Sequence, residues 1–255
     1  MQPTSSLSLS RRSLLRAQAV FGILLMGSAV APLTAHAANS PLIHDRTAWR
    51  ARNPKGTVRR SFGRPQRLIV HHTATANTSD RSLERAYALA RAIQGHHMDS
   101  FGWIDTGQHF TISRGAYVLE GRKGSLISLE SAQGMVIGSH CYGQNTLAIG
   151  IETEGTYTHS APPEEQYEAL VGLCARLCRQ YELPASEIYG HRDFNATLCP
   201  GDALYALLSQ LRVDVDMRLR NPELPGTRHT ALADVSEDVW QDLVPFMPPL
   251  EFVRR

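Results

Sequence analysis

Two stretches that lie far apart in the chain carry residue types that bind transition metals. The first is an apolar run over residues 67–72 that ends in His71 and His72, and the second contains His191 and Cys199. The apolar run predicts a buried strand, in which successive side chains point to opposite faces. Only one histidine of the pair can therefore face a given cleft. A fold that brings this histidine to His191 and Cys199 places three ligands around one metal, and an open fourth position is typical of catalytic zinc.

Residues 1–37 have the pattern of an export signal. Arg11 and Arg12 precede an apolar run over about residues 17–31, and Ala35-His36-Ala37 is a small-x-small cleavage site. A run of ~15 residues is shorter than the ~20 that span a bilayer, so we favour a removed twin-arginine signal over a transmembrane anchor. The sequence therefore predicts export to the periplasm or out of the cell, without a stable membrane anchor.

Charge argues against two classes of partner. The predicted signal holds Arg11, Arg12 and Arg16 and no acidic residue, so its removal takes the formal net charge from +2 to −1. The remaining chain has no run of like charge that would favour nucleic acid or an anionic membrane surface. Its length is sufficient for one domain with a substantial core. The residues identify no protein partner.

Three cysteines remain if Cys199 is a metal ligand. Cys174 and Cys178 lie four residues apart on a predicted helix, where they share one face but rarely meet disulfide geometry. A disulfide between Cys141 and one of them stays open, because the periplasm permits disulfides. We favour the interpretation that Cys174 and Cys178 are buried small hydrophobic residues.

The mixture of predicted strands and helices fits an α/β or α+β fold. The predicted domains are an approach segment over residues 38–66, the catalytic domain over 67–212 and a partly irregular C-terminal tail over 213–255. Beside the strand at 67–72, the predicted elements are a hairpin of 108–113 with 117–120, strands over 135–140, 147–153 and 187–191, and helices over 81–97 (capped by Ser79 or Asp80), 164–182 and 202–211.

Four ordered motifs resemble those of the zinc-dependent N-acetylmuramoyl-L-alanine amidases, which share a fold with animal peptidoglycan recognition proteins and a phage lysozyme. The resemblance runs from about Arg67 to Leu211 and covers most of the chain after the predicted signal. The matching pieces are Leu68-Ile69-Val70-His71-His72-Thr73-Ala74, Gly102-Trp103-Ile104-Asp105-Thr106-Gly107-Gln108-His109-Phe110, Ala148-Ile149-Gly150-Ile151-Glu152, and Gly190-His191-Arg192-Asp193 with Cys199-Pro200-Gly201.

The resemblance implies a single domain with a central, mostly mixed sheet flanked by helices and a zinc cleft at the strand ends. It also implies a zinc ion held by His71, His191 and Cys199, with His72 outside the ligand set. It places the general base of the bacterial anhydro-muropeptide amidases at Glu152, although Glu154 lies two residues on and a swap of roles stays open. Thr197 stands where relatives have a lysine or threonine near the scissile group, and its hydroxyl can donate to a developing oxyanion.

Gln108 departs from the family pattern, because many relatives have a tyrosine there. Glutamine can donate and accept hydrogen bonds but is not a comparable proton donor. This departure supports an alternative function, a non-catalytic peptidoglycan-binding module. The retained ligands and Glu152 instead favour an enzyme, and a zinc hydrolase of the same fold acting on another amide is a third possibility.

The implied reaction is hydrolysis of the amide bond between N-acetylmuramic acid and L-alanine, with peptidoglycan or a muropeptide as substrate. Zinc would activate a water and polarise the carbonyl, Glu152 would transfer the proton, and Thr197 with Gln108 would help to hold the oxyanion. Other residues that could line such a groove rank lower. His96, His97, His109 and Trp103 are equally suited to packing or to the surface, and Arg192 is equally suited to pairing with Asp193 or another acid.

Overall fold

A computed structural model describes residues 41–221, so the predicted signal and the last part of the predicted tail lie outside the described residues. The described chain mixes strands and helices, as the sequence predicted. The strands are β1 Ile43–His44, β2 Arg60–Ser61, β3 Arg67–His72, β4 Phe110–Ile112, β5 Val118–Glu120, β6 Met135–Val136, β7 Ala148–Thr153 and β8 Ile188–Gly190. The α-helices are α1 Leu83–Gly95, α2 Ser125–Ser131, α3 Glu164–Tyr181, α4 Asp202–Ala206 and α5 Leu208–Arg220.

Within residues 41–221, six strands form one mixed sheet in the order β1-β5-β4-β7-β3-β8. β3 lies between β7 and β8 and runs parallel to both, while β4 is parallel to β7 and forms the predicted antiparallel hairpin with β5. Leu68, Ile69 and Val70 of β3 are fully buried, as expected for a parallel strand covered on both faces. This confirms the predicted mixed sheet flanked by helices.

The predicted strand over residues 135–140 is much shorter than expected. β6 ends at Val136 and pairs with β2 in a separate antiparallel ladder. Beyond it, the side-chain oxygen of Asn145 accepts hydrogen bonds from the backbone N–H groups of His140 and Cys141, at 2.7 and 3.0 Å. These bonds close a loop, so the backbone does not continue in a strand.

Helix α3 covers the sheet with an apolar stripe, and its bounds match the prediction to within one residue. Glu164 and Glu165 lie in its first turn and Arg179 in its last turn, which is the charge order that the helix dipole favours. The buried side chains of this helix include Tyr167, Leu170, Leu173, Cys174 and Leu177.

The start of α1 differs from the prediction. Ser82 caps the helix, and its hydroxyl accepts from the backbone N–H of Arg85 at 3.2 Å. Asp80 instead accepts from the N–H of Ser82, at 2.9 Å, and so fixes the turn before the cap. At the other end, α1 stops at Gly95 and a π-helical turn follows over His96–Ser100.

The predicted boundary of the tail at residue 213 is wrong, because α5 continues to Arg220. Leu208, Leu211 and Val215 are buried along one side of α5. Asp214 is also buried and accepts a hydrogen bond from the Tyr167 hydroxyl at 2.6 Å. The sequence after residue 213 had indicated an irregular tail because it holds five prolines and few patterned runs, but all five prolines follow Arg220. Helix α2 is absent from the predicted elements.

The approach segment also belongs to the core. β1 pairs with β5 in parallel, and Trp49 is fully buried with its indole N–H donating to the Glu120 carbonyl at 2.9 Å. The predicted approach segment therefore does not run only over the surface, because β1 joins the sheet and Trp49 is buried. An indole with a satisfied N–H is a large apolar anchor.

The four cysteines are free thiols. Cys174 and Cys178 lie in the main core, as expected of small hydrophobic residues, whereas Cys141 packs in a separate cluster with Ile69 and Ala148. None of the helices in residues 41–221 is both long and apolar enough to cross a membrane.

Candidate metal centre and active site

His71, Glu152 and Thr111 form a row across three neighbouring parallel strands. Glu152 of β7 is in register with His71 of β3 on one side and with Thr111 of β4 on the other. Residues in register point their side chains to the same face of a sheet. The row therefore places an imidazole, a carboxyl and a hydroxyl together near the carboxyl ends of the strands.

The sheet also brings His191 to this edge. Gly190, the last residue of β8, pairs with Val70 of β3, and His191 follows it directly in a 3-10 turn over His191–Asp193. The loop then returns, and the N–H of Arg192 donates to the Cys199 carbonyl at 3.1 Å. Within residues 41–221, His71, His191 and Cys199 form a group whose ligand atoms all lie within 4.8 Å of one another.

Hydrogen bonding fixes which ring nitrogen of His191 keeps a lone pair that could bind a metal. Its Nε2 lies 3.1 Å from Oδ1 of Asn195. Asn195 is oriented by the backbone of Tyr142, whose N–H donates to Oδ1 at 3.1 Å and whose carbonyl accepts from Nδ2 at 3.2 Å. Because Oδ1 only accepts, Nε2 of His191 carries the proton and Nδ1 keeps its lone pair.

The side chain of His72 has a different partner from the side chain of His71. Its Nδ1 accepts a hydrogen bond from the backbone N–H of Tyr157, at 3.2 Å. In contrast, Nδ1 of His71 lies 3.6 Å from Sγ of Cys199. The alternation along β3 thus puts the first histidine of the pair, and not the second, beside the cysteine.

Burial shifts the protonation of every group in this cluster. It lowers the pKa of His71 well below its usual value and also lowers the pKa of His191, so both imidazoles are neutral, the form that binds metals. Burial raises the pKa of the Cys199 thiol to about 12 and that of Glu152 to about 8. Desolvation disfavours the charged form in each case.

Glu152 and Glu154 have different surroundings. Among the described residues, Glu152 makes no hydrogen bond or ion pair, so its carboxyl is available. Glu154 is fully buried just past the end of β7. Its carboxylate contacts the Arg85 guanidinium at 2.8 Å and accepts from the Arg114 N–H at 2.9 Å. These contacts argue against a swap of roles between the two acids, because Glu154 joins α1 to the β4–β5 turn.

The two remaining predicted residues lie close to the cluster. The Thr197 hydroxyl oxygen accepts from the backbone N–H of Cys199 at 3.2 Å, which leaves its O–H able to donate. Gln108 is buried, and its amide nitrogen donates to the Thr111 hydroxyl at 2.9 Å. Its Oε1 has no hydrogen-bond partner among residues 41–221. Thr111 thus ties the amide of Gln108 to the row that contains Glu152.

Among the lower-ranked residues, two histidines have structural contacts. His109 is fully buried between the Val136 carbonyl and the Gly150 N–H, at 2.8 and 3.0 Å. His97 accepts from the Gly107 N–H at 3.1 Å. His96, His97, Phe101 and Trp103 form an aromatic cluster at the end of α1.

Arg192 is also held in place by the protein. It pairs with Asp202 at 2.6 Å, contacts the Leu198 carbonyl and lies over the Tyr205 ring. Asp193, the other acid considered as its partner, instead accepts from the Gly190 N–H at 2.8 Å.

Sequence reasoning missed three residues of the site: Thr111, His140 and Asn195. Asn195 lies four residues after His191, and this spacing allows its side chain to reach back across one turn to the His191 ring. Thr111 lies opposite Glu152 only because of the strand register. His140 lies in a loop with no pattern of its own, and its Nδ1 is 3.0 Å from Nε2 of His71.

Comparison with known proteins gives the same family at the level of sequence. The family model for N-acetylmuramoyl-L-alanine amidase matches residues 61–202, more than half of the chain. Peptidoglycan recognition protein 1 of Bos indicus is 34% identical over 145 residues, which cover 56% of this chain and 70% of that protein. Human N-acetylmuramoyl-L-alanine amidase is 31% identical over 170 residues, 66% of this chain but only 28% of that longer protein.

Solved structures agree on the fold. Wild-type Drosophila PGRP-LB superposes with a TM-score of 0.58 at 26% identity, covering 75% of this chain and 100% of that one. A PGRP-LB point mutant in complex with tracheal cytotoxin has a TM-score of 0.57 at 29% identity, covering 68% and 95%. With the family match over residues 61–202, these likenesses lead to one conclusion: the chain belongs to the N-acetylmuramoyl-L-alanine amidase family.

Proposed function

We propose that this protein is a zinc-dependent amidase that hydrolyses the bond between N-acetylmuramic acid and L-alanine in peptidoglycan or muropeptides. The observation that carries the proposal is the register of Glu152 with His71, which sets an unpaired carboxyl beside a cluster of three ligand-type side chains. An amidase needs both parts, a metal site and a group that moves a proton.

The donor set fits zinc. His71, His191 and Cys199 offer two neutral imidazoles and a thiol, and these are ligands that zinc prefers. Three protein ligands leave one position for water or substrate, as in catalytic zinc sites. Zinc bound here would supply a Lewis acid for the scissile carbonyl and a nucleophilic water at neutral pH.

Glu152 is the group that would transfer the proton. Its carboxyl shares a face with His71, and within residues 41–221 no cation or N–H group engages it. A carboxylate oxygen of Glu152 can take a proton from the attacking water and deliver it to the departing L-alanine nitrogen. Glu154 cannot replace it, because Arg85 and the Arg114 N–H occupy its oxygens.

Thr197 and Gln108 would position the substrate carbonyl. The Thr197 oxygen accepts from the Cys199 N–H, which directs its free O–H away from that backbone group. A neutral donor of this kind can stabilise the oxyanion as it develops. Gln108 contributes an amide that is held by the hydroxyl of Thr111, the residue in register with Glu152.

Peptidoglycan is the substrate class because two of the similar structures were solved with tracheal cytotoxin, one of them the ectodomain complex of PGRP-LCa and PGRP-LCx at 30% identity. The human relative is named for the amidase reaction. The names of other relatives state recognition alone, and Gln108 in place of tyrosine favours a second candidate function, a peptidoglycan-binding module without catalysis.

We further propose that the protein acts outside the cytoplasm after export by the twin-arginine route, since the substrate lies there. The motif at Arg11 and Arg12 supports this location. Replacing both with lysine should retain the chain in the cytoplasm, as measured by cell fractionation. Export of this variant at the wild-type level would overturn the assignment.

The two functions are separated by incubating purified sacculi with the zinc-loaded protein and measuring the masses of the soluble products. An amidase releases free stem peptides that begin with L-alanine. A binding module sediments with the sacculi and releases none. Glu152→Gln is the matched control, because it should bind the same sacculi and release little.

A further inference from the structure

A chain of hydrogen bonds leads through His140 to the ring of His71. His140 Nε2 lies 3.2 Å from the Ala148 carbonyl oxygen, and His140 Nδ1 lies 3.0 Å from Nε2 of His71. A carbonyl only accepts, so Nε2 of His140 carries a proton, and a neutral imidazole has only one. Its Nδ1 is therefore an acceptor, and the donor is the Nε2–H group of His71.

This contact determines the tautomer of His71. With its proton on Nε2, the ring keeps a lone pair on Nδ1, the nitrogen that lies 3.6 Å from Sγ of Cys199. We propose that His140 is a positioning residue, whose Nδ1 fixes the tautomer and the orientation of His71 so that Nδ1 of His71 faces the metal. The inference rests on the proposed function, because it takes His71 as a zinc ligand.

The fold provides a closely fitting slot for the ring of His140. A Cβ added at Gly150 would lie 2.5 Å from Cγ of His140, and one added at Gly138 would lie 2.6 Å from its Cδ2. Both distances are too short for carbon atoms in contact, so these two positions leave the ring its space only as glycine. The backbone N–H of His140 donates to Asn145, at 2.7 Å. The ring is thus oriented before any metal binds.

Asn195 provides a comparison within the same site. It accepts from Nε2 of His191, as His140 accepts from Nε2 of His71. Each histidine of the cluster therefore has one acceptor behind it and one free Nδ1. Partners of this kind raise ligand basicity and fix ring orientation, and their loss typically lowers metal affinity about 10- to 100-fold.

The matched pair His140→Leu and His140→Asn tests the inference. Leucine and asparagine have nearly the same shape, but only asparagine keeps an acceptor near the position of Nδ1. Zinc affinity is measured by competition with a chromogenic chelator. We expect a loss of about 10-fold or more in the leucine variant and less than about 3-fold in the asparagine variant. The thermal unfolding midpoints of the metal-free variants show whether they fold equally well.

A second measurement needs no metal. Long-range ¹H–¹⁵N NMR of the metal-free chain should show His71 protonated at Nε2 in the wild type and in His140→Asn, and a mixture of tautomers in His140→Leu. Equal loss of zinc affinity in the two variants, unchanged affinity in His140→Leu, or a wild-type proton on Nδ1 of His71 would each overturn the role of His140. A wild-type chain that binds no zinc would instead overturn the proposed function, so the two failures are distinguishable.

Discussion

His71 and Glu152 lie directly opposite each other on the parallel strands β3 and β7, each one residue before the end of its strand. Because paired residues share a face, a candidate metal ligand and a candidate proton carrier stand side by side at the carboxyl edge of the sheet.

Glu152→Gln should retain zinc and the fold but lose most turnover. The amide has the same shape and cannot take a proton, and general acid–base groups contribute roughly 10²–10⁴-fold to rate. Steady-state kinetics on a soluble muropeptide and zinc analysis measure the two properties. The exposed Glu164→Gln is the control. A fall in kcat of less than about tenfold would exclude Glu152 as the base.

Glu154→Gln should have the opposite effect, a loss of stability with little loss of activity. It removes the charge that Arg85 contacts at 2.8 Å, and a buried charged hydrogen bond of this kind contributes roughly 1–3 kcal/mol. Urea unfolding measures the change. A variant that unfolds like the wild type but no longer hydrolyses its substrate would show that Glu154 acts in catalysis.

Cys199→Ser should abolish zinc binding and activity together. The variant should also lose the stabilisation that bound metal gives, about 3 kcal/mol at free zinc one hundred times the Kd. Zinc is counted after dialysis, and melting curves are compared with and without zinc. Cys178→Ala is the control, because Cys178 lies in the main core and not at the candidate site. Stoichiometric zinc in Cys199→Ser would refute the ligand assignment.

His109 should make the metal-free chain less stable in acid. Burial lowers its pKa to about 4, and a second proton on Nδ1 would face the Gly150 N–H. Because the folded pKa lies below the unfolded value of about 6.5, acid favours the unfolded chain. Neutral His109 therefore contributes about 3 kcal/mol to the free energy of unfolding. This contribution is complete above pH ~6.5 and is lost as the pH falls towards about 4.

The measurement is urea unfolding of the metal-free chain at several pH values, for the wild type and for His109→Asn. Asparagine does not titrate, so the slope of stability against pH should decrease by up to one proton between these limits. His97, whose pKa burial also lowers to about 4, titrates in both proteins and leaves the difference intact. An unchanged slope in His109→Asn would contradict the prediction.

Gln108→Tyr tests the binding-module alternative. If Glu152 already transfers the proton, the added phenol should change kcat only modestly, in either direction. Turnover of a muropeptide by the wild type and the variant is compared under the same zinc loading. An inert wild type with an active tyrosine variant would establish the binding module and refute the proposed enzyme.

Local patterns predicted the elements whose own residues decide their structure. The apolar run Leu68–Val70 was sufficient to place β3, and the apolar stripe of α3 placed that helix. The patterns failed where tertiary contacts decide. Trp49 is buried by partners distant in sequence, and α5 continues past residue 213, where Asp214 accepts a hydrogen bond from Tyr167 of α3.

The same distinction between local motifs and tertiary contacts applies to the residues of the candidate site. The three ligand-type residues and Glu152 lie in motifs that can be read along the chain, and the structure brings the ligand-type residues together. Their partners His140 and Asn195 could not be predicted with the same ease. Each acts through one hydrogen bond to a histidine, and the His140 contact depends on two glycines and a loop that only the folded chain assembles.

The most direct test of the central claim is the release of new L-alanine amino termini from purified peptidoglycan by the zinc-loaded wild type, with the metal-stripped protein alongside. The assay covers about pH 5 to 9, because zinc-bound water titrates near pH 7 and burial raises the pKa of Glu152 to about 8. We predict release by the zinc-loaded protein within this range and none by the stripped protein. No release by the zinc-loaded protein at any pH in this range would contradict the assignment of this chain as an amidase.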